Sequence, residues 1–159
     1  MLAVSLLDVP IPPRAVRRLL EDEALIATMD RLLNEVPTDA DLWEVERGVL
    51  EAADQAWAEL VKLQDVGPVR AGKLLARKRP RVVPIWDDVV ATVVGETHGD
   101  WWSVLKCCLQ HELDLRTRID ELRPAASVSV IRTLDVIIWM TRSRSDNAAI
   151  ARAEAGLRR

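Results

Sequence analysis

Residues 65–88 read DVGPVRAGKLLARKRPRVVPIWDD. A Gly-Pro turn leads into a helix with Val69, Leu74 and Leu75 on its apolar side. Pro80 must end that helix or closely follow its end, because proline neither donates to a helix interior nor lets its predecessor stay helical. RVVPIW is then extended: Pro84 cannot sit inside a helix, and β-branched side chains favour strand-like angles. Asp87 or Asp88 caps a further helix to about Val94, stopped by Gly95. The segment therefore predicts helix, extended link, helix, with no strand partner in sight.

The flanks read the same way. Upstream, Pro13 sits near a first helical position, and Val16, Leu19, Leu20, Leu25, Ile26, Met29, Leu32 and Leu33 keep helical spacing up to Pro37. Thr38 is a good N-cap, with Asp39 and Asp41 in the following turn, and an apolar face continues through Leu42, Val45, Val49, Ala53, Trp57, Leu60 and Val61, with a break possible at Gly48. Downstream, Asp100 can cap WWSVLKCCLQHEL, LDLRTRIDEL runs on to Pro124, and Ser127 or Ser129 opens an apolar helix to about Met140. The sum is eight to ten short helices and almost no strand. The expected architecture is a compact all-α domain over residues 1–145, with residues 146–159 a C-terminal helix or frayed end.

Composition narrows the class. The chain has 159 residues, 49% hydrophobic and 30% charged, the balance of a globular protein able to bury a core without staples. MLAVSLLDVPIPP lacks a basic start, and the most apolar stretch, VSVIRTLDVIIWM, is short and carries Arg132 and Asp135; neither reads as a signal or a span. Cys107 and Cys108 are adjacent, which excludes a disulfide framework and fits a reducing cytoplasm. Cys107 and His111 share a helix face and with His98 offer part of a metal site, but no CxxC or HxxxH pair supports one. Small buried thiols are the expected reading, with no metal and no cofactor. Arg132 and Asp135, at i and i+3, read as a partly buried salt bridge within one helix, or else as a polar pair lining a pocket with Asp87.

Charge is uneven. Residues 1–66 hold 6 Lys and Arg against 14 Asp and Glu, and residues 67–159 hold 16 against 11. Arg70, Lys73, Arg77, Lys78, Arg79 and Arg81 fall within 12 positions with no acid among them. Arg70, Lys73 and Arg77 form one stripe of the helix. Six cations on one ridge would release counterions on meeting a nucleic-acid backbone. A solvated face balanced by the acidic half is the alternative.

Leu60, Leu63, Val66-Gly67, Ala71, Leu74 and Leu75 resemble the helix-hairpin-helix motif at about residues 57–79. That resemblance implies backbone amides at Gly67 and Val69 facing a phosphate, the basic residues Arg70, Lys73, Arg77, Lys78, Arg79 and Arg81 around it, and DNA as partner through its phosphate backbone. The first glycine of the pattern is Asp65 here. Over about residues 60–95 the chain resembles the helix-hairpin-helix DNA glycosylases (endonuclease III-like), whose catalytic Asp lies about twenty residues past the second hairpin glycine. Asp87 matches that position, within Trp86-Asp87-Asp88-Val89-Val90. In such an enzyme a fixed carboxylate stabilises the oxocarbenium-like sugar. Trp43, Trp101 and Trp102 are candidates for stacking on an extruded base. The Schiff-base Lys of bifunctional members is Val69 here, so the resemblance implies a monofunctional glycosylase without strand cleavage. The iron–sulfur loop is absent. Capping is the competing role for Asp87.

GPVRAGKLLARKRPRVVPIWD and SVIRTLDVIIWM also resemble a family of short actinobacterial proteins of unknown function, over nearly the whole chain. That likeness implies no activity. The readings kept beside the glycosylase are a non-catalytic hairpin module that binds DNA or RNA, and a protein-interaction domain whose basic ridge meets an acidic partner or another copy of the chain.

Overall fold

The computed structural model describes residues 11–94 and 101–156. Gly95, His98 and Asp100 lie outside the described residues. Among the described residues the chain is all helical, with nine helices and no strand. They are α1 (Pro13–Glu21), α2 (Glu23–Asn34), α3 (Arg47–Val61), α4 (Pro68–Lys78), α5 (Asp88–Val94), α6 (Trp101–His111), α7 (Leu113–Glu121), α8 (Val130–Arg142) and α9 (Asp146–Glu154). None of them is long and apolar enough to cross a membrane. The chain divides into two compact units, one ending at Ile85 and one beginning at Trp86.

In the first unit α1 packs on α2, α2 on α3, and α3 on α4. Pro13 opens α1 as its spacing predicts. The apolar run up to Pro37 is two helices, however, not one. Asp22 takes an extended backbone, and its side chain accepts from the Leu25 amide at 3.1 Å, capping α2. The Arg18 guanidinium and that amide hold the Asp22 carboxyl below the usual carboxylate range. The break rotates the register, so Val16 and Leu20 face solvent while Leu25, Met29 and Leu32 are buried.

A second correction falls at Thr38, which caps no helix: residues 37–46 are turns and bends. The Asp41 amide donates to Glu44 Oε2 at 2.8 Å, and the Leu42 amide donates to the Arg81 carbonyl at 2.9 Å. These bonds satisfy backbone groups that a helix would otherwise have paired. Leu42 is fully buried as a result. Gly48 lies in the first turn of α3 and breaks nothing. Ala52, Ala53 and Ala56 of α3, and Ala71, Gly72, Leu75 and Ala76 of α4, are buried. Small residues on both helices let them approach closely. After α4 the chain is irregular, and Val82, Val83, Pro84 and Ile85 are core. Each such aliphatic side chain contributes about 1.5–3 kcal/mol of burial.

In the second unit α5, α7 and α9 all pack on α8, and α6 packs on α7. Ser129, one of the two serines expected, caps α8 by accepting from the Arg132 amide at 3.3 Å. Ser145 caps α9 by accepting from the Ala148 amide at 3.3 Å, so the residues after Ser145 begin as a capped helix. Arg152 reaches back from α9 to the carbonyls of Met140 and Ser143, at 2.7 and 2.8 Å, and ties that helix to the end of α8. Trp86 and Trp101 pack at a tilt within this unit, centroids 6.1 Å apart and planes at 56°.

Candidate nucleic-acid interface

Between α3 and α4 the chain turns in six residues, and Leu63 and Val66 anchor the turn in the core. The residue that bends it is Asp65, with φ +64°, the left-handed region that Asp tolerates better than most side chains. Gly67 is not the pivot expected of it: its φ is −74°, open to any residue. A Cβ there would meet nothing within 4 Å, so a side chain would also fit. The space before α4 is therefore open.

Pro68 has no N–H, and no side chain caps α4. The Val69 and Arg70 amides find no acceptor among the described residues, while the Ala71 amide donates to the Gly67 carbonyl at 3.0 Å. These are the orphan donors of a helix start, at the positive end of its dipole. Two side chains clasp the turn: Trp57 Nε1 donates to the Pro68 carbonyl at 3.1 Å, and Arg70 donates to the Asp65 carbonyl at 2.8 Å. Nothing in the local sequence marks Trp57 for this, because its partner is eleven residues away across the turn.

The six cations do not form one ridge. Arg79 Nε donates to the Val36 carbonyl and its Nη2 to the Leu33 carbonyl, both at 2.5 Å, closing the open C-terminal end of α2. Burial pushes its guanidinium below the ordinary arginine range. Arg81 pairs with Asp41 at 2.5 Å, beside the backbone bond to Leu42. Both are committed to the fold. Lys73 is half-buried, and Arg77 and Lys78 are exposed; none of the three side chains has a hydrogen-bond or ion-pair partner among the described residues. That sets α4 apart, because the cations elsewhere on this unit's helices mostly pair within one turn: Arg17–Glu21, Arg18–Asp22, Arg31–Glu35, Arg47–Glu51 and Glu59–Lys62.

Asp87 belongs to the second unit. Its Oδ1 accepts from the Val89 and Val90 amides, both at 3.0 Å, which is N-cap geometry for α5. An open cavity of about 760 Å³ in this unit is lined by Asp88, Val89, Thr92, Thr141, Arg142 and Arg144; Asp87 is not among these residues. Arg132 and Asp135 do not line it either. They form the ion pair within α8 at 2.9 Å, with side chains 13% and 6% exposed. Burial lowers the Arg132 guanidinium from its ordinary range, and the Asp135 carboxylate opposes that. Trp101 and Trp102 are buried at 6% each and present no face for a base to stack on, whereas Trp43 is half-buried. Cys107 and Cys108 are free thiols on the exposed side of α6, not the buried ones expected, because the core stripe of that helix runs through Trp101, Trp102, Leu105 and Leu109. Among the described residues no three of His, Cys, Asp and Glu come together as a metal site.

A family model described as a family of unknown function (DUF6308) matches residues 1–142. Searches of the curated proteins and of the solved structures returned no match. The whole-chain likeness to a family of unknown function is thus supported, while the likeness of residues 60–95 to the glycosylases has no counterpart in these comparisons.

Proposed function

Because the chain belongs to DUF6308, a family whose function is unknown, we propose its role from its own surface: a non-catalytic module that holds a nucleic-acid phosphate backbone at the start and outer face of α4. One observation carries this reading. Lys73, Arg77 and Lys78 stand without acidic partners on a helix that contains no acid at all. Cations that balance their own surface would be paired as most are on α1, α2 and α3. The uncapped amides of Val69 and Arg70, with open space at Gly67, add neutral donors to the same end of the helix. The helix-hairpin-helix resemblance favours DNA as the source of the phosphates. The glycosylase alternative would need Asp87 for chemistry, and the two amides that Asp87 caps favour a structural role instead.

Anisotropy of a labelled DNA duplex, followed as salt rises, tests the proposal. Three freed phosphate neighbours predict a slope of log affinity against log salt near about −3. The double variant Lys73→Glu, Arg77→Glu should lower that slope by about two and weaken binding at low salt by more than about tenfold. Its thermal midpoint should not move. A wild-type chain that ignores duplex and single strand alike at low salt removes the proposal. Release of a base from damaged duplex, lost in Asp87→Asn, would replace it with the enzyme.

A further inference from the structure

The cavity in the second unit carries its own chemistry. Arg142 ends α8 and Arg144 follows two residues later; both are exposed, and neither has a hydrogen-bond or ion-pair partner among the described residues. Across the cavity stand Asp88, Val89 and Thr92 of α5, with Thr141 beside the arginines. The two threonine hydroxyls already spend their protons. Thr92 donates to the Val89 carbonyl at 2.7 Å, and Thr141 donates to the Ile137 carbonyl at 2.7 Å. What they offer a ligand is lone pairs. The lining therefore offers two arginines and the Thr141 hydroxyl from the end of α8, and the Asp88 carboxylate, the Thr92 hydroxyl and an apolar Val89 from α5.

The geometry points to a binding site for a phosphomonoester of a small hydroxylated compound, a sugar phosphate. Two guanidiniums match the double negative charge of a phosphomonoester, whereas a ligand with a single carboxylate would neutralise only one of them. Asp88 in the same cavity opposes a bare polyanion, but accepts hydrogen bonds from sugar hydroxyls. A volume of about 760 Å³ lies within the usual range for small-molecule sites. The site is independent of α4, so it stands or falls apart from the proposed contact with nucleic acid. The same chemical group occurs free, as a metabolite, and at the phosphorylated end of an oligonucleotide.

Calorimetric titration of the full chain with ribose phosphate tests the assignment, with ribose and inorganic phosphate as controls. Ribose phosphate should bind at least about tenfold more tightly than inorganic phosphate, and ribose alone should not bind. Arg142→Gln with Arg144→Gln should abolish the binding, whereas Lys73→Glu with Arg77→Glu should leave it intact. A measurement on the wild type guards against misfolded variants: ribose phosphate should slow phenylglyoxal modification of Arg142 and Arg144. A terminally phosphorylated oligonucleotide that competes, where its hydroxyl-ended counterpart does not, supports the site and names a nucleic-acid end as the source. Competition by ribose phosphate alone supports it and names a metabolite. Absence of saturable binding, equal binding of ribose phosphate and inorganic phosphate, or binding undiminished in the double arginine variant overturns it.

Discussion

Helices α4 and α8 both set arginine beside an apolar face, and they use it in opposite ways. In α8 the cation is inside: Arg132 is buried with Asp135 one turn away. In α4 the cations are outside, and no carboxylate shares the helix with them. Arg79, just past the end of α4, stands between the two cases, half-buried and bonded to backbone carbonyls. Arg132 carries its partner at i+3 in the sequence, whereas Arg79 looks like its basic neighbours. What separates Arg79 from them is a fixed partner within reach, and that is a property of the packed chain.

Perturbation should grade these sites. The largest effect belongs to Asp135→Ala, which leaves the Arg132 guanidinium buried without its carboxylate and should cost about 3–5 kcal/mol in urea unfolding. Replacing both partners, Arg132→Met with Asp135→Leu, should recover most of that loss, since apolar groups of similar volume remove the desolvation penalty. If the single variant loses no more than an ordinary surface change, the pair is not structural.

Next comes Arg79→Ala, which strips two charge-assisted bonds from the end of α2 and should cost about 2–3 kcal/mol. Arg79→Lys should not restore it, because an ammonium cannot span both carbonyls as the fork does. Lys78→Ala, one residue earlier, should change stability by less than about 0.5 kcal/mol. Equal costs at 78 and 79 would erase the distinction between folded and free cations. The smallest effect falls at Asp87→Ala, about 1 kcal/mol for a lost cap, with Asp87→Asn nearly silent because asparagine caps as well. Nucleic-acid affinity should not respond to either.

Much of this was legible in sequence where the signal is local. Pro13 at a helix start, Pro80 beyond a helix end, and Ser129 as a cap each act within a few residues. The i, i+3 spacing of Arg132 and Asp135 likewise announces their bond. The misreadings were non-local. Thr38 has a cap's neighbours, but the chain after it is held by Arg81, about forty residues on. Arg79 looks like one more basic residue until α2 is placed against it. The bend expected at Gly67 falls instead at Asp65, the first-glycine position of the hairpin pattern, where an aspartate tolerates the left-handed angle. The cavity arginines belong to a site that only the packing of α5 on α8 creates.

The chain has six tryptophans and no tyrosine or phenylalanine, so its near-ultraviolet absorption and emission come from indole alone. Trp57 is hydrogen-bonded across the α3–α4 turn, and the Trp86–Trp101 couple sits in the other unit at a separation that splits excitons. Unlabelled protein therefore carries an optical reporter in each unit: emission colour responds to loosening of the turn, and the circular-dichroism couplet vanishes when the second unit melts.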